Sequence, residues 1–187
     1  MNVRRLFPIA LILIGVVFFG AGIYTVARGF DAKDQVRTEL LAQNIVTPED
    51  ASIPNARVDS VGTAKSMAQI IDVHARASAD GLTYSEMGRF MSKDGSPAGT
   101  SDEKEAVINE ATGRPVNNPL RDVAFQASSL RTSLFSSVMA FEVATLVSGL
   151  GLMIMVLGLA VGGLGVALAG LAIPSLGKKL HVAPVAA

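Results

Sequence analysis

The chain has 187 residues, half of them hydrophobic and only 17% charged, against roughly 25% charged in soluble domains. Sixteen basic residues balance 16 acidic ones and there is no cysteine, which excludes a disulfide framework and a thiolate metal site. No basic patch points to nucleic acid, and no P-loop, Gly-x-Ser-x-Gly or His-Glu-x-x-His pattern points to a familiar reaction.

The first element is an uncharged run of 22 residues, Leu6 to Ala27, where about 20 apolar residues suffice to cross a bilayer. The run predicts a transmembrane helix over Leu6–Val26. Pro8 falls in its first turn, where a missing N–H costs little, and Tyr24 falls near the outer interface. The run is longer than a signal-peptide core, and the small-residue site ending at Ala27 is a poor one, so it reads as an uncleaved anchor.

Asp31 to Ile45 reads as a short amphipathic helix or an extension of the first one, with Val36, Leu40 and Leu41 on one side. Thr47-Pro48-Glu49-Asp50 has the form of a helix start, cut short by Pro54 and followed by an extended stretch from Ile53 to Val61. The clearest outer helix is Thr63–Ala79, with Met67, Ile70, Ile71, His74 and Ala75 on one face and Asp80-Gly81 as its stop. Thr83-x-x-Glu86 has capping-box spacing and predicts a short helix through Phe90. Lys93–Gly99 is a loop by composition. Thr100-x-x-Glu103 predicts a third, polar helix through about Ala111, ended by Gly113.

Asn118-Pro119 opens the last segment as cap and first-turn proline. From Leu120 nothing breaks a helix until Pro174. Val143 to Gly177 is a second uncharged run, 35 residues long, about 52 Å as a helix against a hydrocarbon core of about 30 Å. Either one long helix projects beyond the bilayer, immersed over about Val147–Ile173, or Gly162-Gly163 turns a hairpin. Each hairpin arm would be short for a span, so the single helix is the better reading.

Residues 29–131 carry 15 acids and 11 bases, while the flanks outside the apolar runs carry Arg4, Arg5, Lys178 and Lys179 and no acid. Cytoplasmic flanks are enriched in Lys and Arg. Both ends are therefore expected in the cytoplasm of a cell-membrane protein. The expected organisation is a mostly α chain. Residues 1–28 form the cytoplasmic N-terminus and first span, 29–130 a small helical extracytoplasmic segment, 131–175 a long helix containing the second span, and 176–187 a cytoplasmic tail.

Three sets of residues are candidates for function. Gly158-x-x-x-Gly162, Gly163-x-x-x-Ala167 and Gly165-x-x-x-Ala169 are small-x-x-x-small spacings that let a second helix backbone approach. The partner is either the first span, another membrane protein, or a second copy of the chain. His74 invites a sensing or metal-binding role, but without a second histidine nearby or any cysteine it reads better as a half-buried histidine on an apolar face. Glu142, the one acid within the final apolar stretch, reads as a carboxylate at headgroup level, too far along the helix from Arg131 to pair with it. No catalytic, cofactor or metal site is expected.

Leu82-Thr-Tyr-Ser-Glu-Met-Gly88, then Ser129-Leu-Arg-Thr-Ser-Leu134 and a Gly/Leu/Met-rich final span, together resemble a group of small actinobacterial two-span membrane proteins labelled aromatic ring-opening dioxygenase. The resemblance implies two spans around an outer segment, and a possible setting beside respiratory supercomplexes, which some proteins of this layout accompany. The dioxygenase label can be tested by counting. A non-haem iron site takes two histidines and a carboxylate. This chain has two histidines, His74 and His181, expected on opposite sides of the membrane. The expected function is thus a non-enzymatic accessory or assembly subunit of a larger membrane complex. The alternative is an extracytoplasmic binding or sensing module with His74 and Tyr84 near a ligand cleft.

Overall fold

The computed structural model describes residues 3–172, with side chains from 6 to 171. Pro174, Lys178, Lys179 and His181, and the tail assigned to 176–187, lie outside the described residues. The chain is mostly helical: α1 (Val3–Ala42), α2 (Val61–Ser78) and α3 (Pro119–Ala172), with a small antiparallel ribbon of β1 (Ile108–Asn109) and β2 (Arg114–Pro115) before α3. Both α1 and α3 are long and apolar enough to cross a bilayer. The contacts divide the chain into two compact units, Met1–Asp34 with Glu142–Ala187, and Gln35–Phe141.

In the first unit the two long helices run antiparallel. Gly15 lies against Gly158 and Gly162, Gly22 against Gly151 and Met155, and Gly29 against Ala144 and Ser148. No break occurs at Gly162-Gly163, because α3 continues unturned to Ala172. Since α1 begins at Val3, Pro8 is an interior residue rather than a first-turn proline, and its ring removes one i→i−4 bond. The buried positions of α1 in this unit are Pro8, Gly15, Gly22 and Gly29, each seven residues from the next. On α3, Ala144, Gly151, Gly158 and Gly165 repeat the same interval. A seven-residue interval holds one narrow stripe toward the partner helix, and glycine in that stripe lets the backbones meet.

The second unit has its core where the last turns of α1, α2 and the first turns of α3 meet. Leu40, Val58, Ala64, Ala68, Leu134, Val138 and Phe141 are buried together. A smaller cluster joins Ala79, Met87 and Ala124. The segment beyond Asp31 is a continuation of α1, which ends at Ala42 with Asn44 in the left-handed region at φ 52°. Ser60 caps α2, accepting from Thr63 N–H at 3.4 Å, while the Thr63 hydroxyl oxygen accepts from Ser60 N–H at 3.1 Å. The stop is as the sequence implies: Asp80 and Gly81 both adopt positive φ, and Gly81 N–H reaches Arg76 C=O at 2.8 Å. Asn118 Oδ1 accepts from Leu120 N–H at 3.1 Å and opens α3.

Two expected helices and the extended stretch 53–61 are absent, and a third helix is reduced to one turn, in each case because a non-local or turn-forming bond outcompetes the local element. Thr47-Pro48 does not start a helix, and 53–61 is not extended. The buried Thr47 hydroxyl donates to Ile53 C=O at 2.5 Å and accepts from Ala56 N–H at 2.9 Å, closing a loop. The Thr83/Glu86 pair does form, with Thr83 N–H donating to the Glu86 carboxylate at 2.7 Å. It supports only a 3₁₀ turn, Tyr84–Glu86, because Phe90 exchanges backbone bonds with Thr100 at 2.8–2.9 Å. The helix expected from Thr100 to Ala111 is replaced by turns and the ribbon. Thr100 Oγ1 and Asp102 Oδ1 take the N–H groups of Asp102 and Lys104 at 3.0 and 2.9 Å, the local competition that keeps such residues out of helices.

Candidate functional site

The small residues of α3 divide into two sets. A Cβ added at Gly158 would stand 2.5 Å from Phe19 N and 2.8 Å from Gly15 O, and one at Gly165 would stand 2.8 Å from Ile12 N. Gly162 lies in the same seam with more room, 3.6 Å from Gly15 Cα, and Ala169 is buried. Gly163 has nothing within 4 Å of such an atom, and Ala167 is exposed. A notch of about 240 Å³ joins the two sets: it is lined by the seam glycines Gly15, Gly158 and Gly162 together with Gly163, Leu159 and Val166, and Ala167 does not line it. The seven-residue interval of Gly15, Gly22 and Gly29 on α1 is present in the sequence, but the spacing alone does not show which helix these glycines meet.

His74 is not half-buried on an apolar face. It is exposed, and its Nε2 lies 2.7 Å from Asp50 Oδ2. That hydrogen bond outweighs the opposing effect of desolvation and holds the Asp50 carboxyl below its ordinary range. Glu142 is exposed at the start of the first unit's part of α3. Arg131 is bonded elsewhere: its Nη1 donates to Asp72 Oδ1 at 2.7 Å, and Asp72 Oδ2 accepts from Arg76 Nε at 3.1 Å. The Arg131 Nε is buried without a hydrogen-bond partner. Tyr84 is held by Arg121, whose Nη2 donates to its hydroxyl at 2.8 Å, and it tilts against Phe125 at 5.5 Å between ring centroids. A small cavity of about 50 Å³ lies beside Tyr84, lined also by Asp72, Ala75, Arg76 and Arg131; His74 does not line it. Among the described residues, no three His, Asp or Glu side chains converge to hold a metal ion.

A further concavity of the second unit lies along the last turns of α1 and the first turns of α3. It is a groove of about 780 Å³, within the range of about 300–1,000 Å³ usual for small-molecule pockets. Its apolar wall comes from Val36, Leu40, Ile45, Met67, Ile71 and Leu134. Its polar wall is Gln35, Glu39, Gln43, Ser133, Ser136 and Ser137. The three serines donate their protons to carbonyls one turn back on their own helix, to Ser129, Thr132 and Ser133 at 3.1, 2.9 and 3.2 Å. Periodicity does place Met67 and Ile71 on one face of α2. It does not show that this face, Leu40 and Leu134 leave a space between them, because that depends on three elements distant in sequence.

Comparison with family models, with characterised proteins and with solved structures yields no match to this chain.

Proposed function

We propose that this is a non-enzymatic integral membrane protein that crosses the bilayer twice, with both ends cytoplasmic and residues 29–130 outside. In this reading it serves as an accessory or assembly subunit of a larger membrane complex. The apolar side chains turned outward on α1 and α3, such as Leu13 at 62% and Met153 at 69% exposure, support a lipid surrounding, since such a surface in water would aggregate. The observation that carries the accessory role is the open half of the small-residue face. The seam between the two helices uses Gly158, Gly162 and Gly165, whereas Gly163, which lines the notch, and Ala167 are exposed. Lipid supplies no hydrophobic drive for helix association, so close backbone approach at small residues is the main means of docking. The family resemblance extends the proposal to a respiratory complex.

The test is affinity purification in a mild detergent. Gly163→Leu with Ala167→Leu fills the exposed face, and since a Cβ at Gly163 has nothing within 4 Å the backbone contacts of the seam are kept. The double variant should lose co-purifying membrane proteins while keeping the thermal stability of the parent. Undiminished recovery of those proteins would overturn the docking role.

The groove of the second unit favours a second reading, an extracytoplasmic binding protein whose ligand lies along α1 and α3 rather than near His74.

A further inference from the structure

We infer that the groove of the second unit binds a single-chain amphiphile with a positively charged, hydrogen-bond-donating head, an alkylammonium in chemical class. The inference rests on the binding-protein reading and names its ligand. Size and lining give the apolar part. The floor is aliphatic, from Val36, Leu40, Ile45, Met67, Ile71 and Leu134, and the volume of about 780 Å³ is that of a small-molecule site. The wall gives the head. Glu39 is the one ionisable side chain that lines the groove, and among the described residues no ion-pair partner is recorded for it.

The serine wall adds a second, independent requirement. A hydroxyl has one proton and two lone pairs. The protons of Ser133, Ser136 and Ser137 are spent on their own helix, so these oxygens meet a ligand as acceptors. Gln35 and Gln43 can supply either kind of bond. The groove thus has acceptors from three serines and a carboxylate, no cation, and few donors. A carboxylate or phosphate head would find little to bond and one like charge. An ammonium head finds charge complementarity and several oxygens. The second unit as a whole has 13 acids and 10 bases, which draws cations toward it.

The experiment uses two photoactivatable probes of equal chain length, an alkylamine and an alkylcarboxylate each carrying a diazirine, with the full-length protein in nonionic lipid nanodiscs. Labelled peptides are quantified by mass spectrometry. The amine should label the segments 35–45 and 130–140 about three- to tenfold more than the carboxylate, the range that an exposed attraction and its like-charge counterpart produce together. Glu39→Gln should bring that ratio near one, and Glu39→Lys should invert it. Residue 39 is exposed on a helix surface, so both variants should keep the parent's circular dichroism. Equal labelling of the groove by both probes, labelling confined to 6–27 and 143–172, or a ratio unchanged in Glu39→Gln would each overturn the inference. If neither probe labels 35–45 and 130–140, the binding-protein reading fails with it; equal labelling there refutes only the head-group assignment.

Discussion

The glycine seam makes a quantitative prediction. Replacing Gly158 by alanine adds one methyl group 2.5 Å from Phe19 N and 2.8 Å from Gly15 O, where carbon contacts are comfortable at about 3.5–4.0 Å. Both neighbours are backbone, so no side-chain rotation relieves the clash and the helices must separate by about 1 Å at that point. Overpacking of this kind costs about 1–3 kcal/mol, more than the helix-propensity gain of about 0.8–1.0 kcal/mol that alanine brings over glycine. Gly162→Ala meets Gly15 Cα at 3.6 Å, an ordinary contact, and Gly163→Ala meets nothing. The expected order of stability is therefore Gly163→Ala at or above the parent, Gly162→Ala near it, and Gly158→Ala clearly below. Denaturant unfolding in mixed micelles, followed by helical circular dichroism, measures it. Three variants falling within about 0.5 kcal/mol of one another, the scatter of indifferent surface changes, would refute the seam.

Other perturbations address the second unit. Asp72→Ala removes the carboxylate shared by Arg76 and Arg131 and should cost about 1.5–3 kcal/mol, as for hydrogen bonds to charged groups, read by thermal unfolding. Thr47→Val leaves Ile53 C=O and Ala56 N–H without their buried hydroxyl partner and should cost about 1–3 kcal/mol by the same measurement. Asp50 has a folded pKa below its ordinary value of 3.8 because of His74. Its contribution to stability is then complete above that value and disappears as pH falls through the lower folded value. In His74→Ala, carboxyl titration by NMR should place Asp50 back near its ordinary range, and stability between pH 2 and 5 should fall less steeply; an unmoved Asp50 would contradict the pairing.

The long helices were legible because their signals are local. Uncharged runs, Asn118-Pro119 at the start of α3 and Asp80-Gly81 after α2 each depend on residues a few positions apart. Glu86 shows the limit of such signals. Its bond to Thr83 forms as the spacing implies, but the helix that should follow does not, because Phe90 pairs with Thr100. The helix after Thr100 loses to a nearer competitor, the Thr100 and Asp102 side chains that take the N–H groups of Asp102 and Lys104. His74 was assigned to an apolar face by its spacing from Met67 and Ile70, yet α2 buries Ala64, Ser66, Ala68 and Ile70, so the buried face ends a turn earlier. The groove was not legible, since Leu40, Met67 and Leu134 come from three helices and only folding sets the gap between them.

The absence of native cysteine makes the central claim, two crossings with the middle of the chain outside, directly measurable. Single cysteines placed at Ser96 and at Ser175 can each be challenged in intact cells with a membrane-impermeant maleimide. The account predicts labelling at 96 without permeabilisation and at 175 only after it. Labelling at 175 in intact cells, protection at 96, or recovery of the protein in the soluble fraction would contradict it.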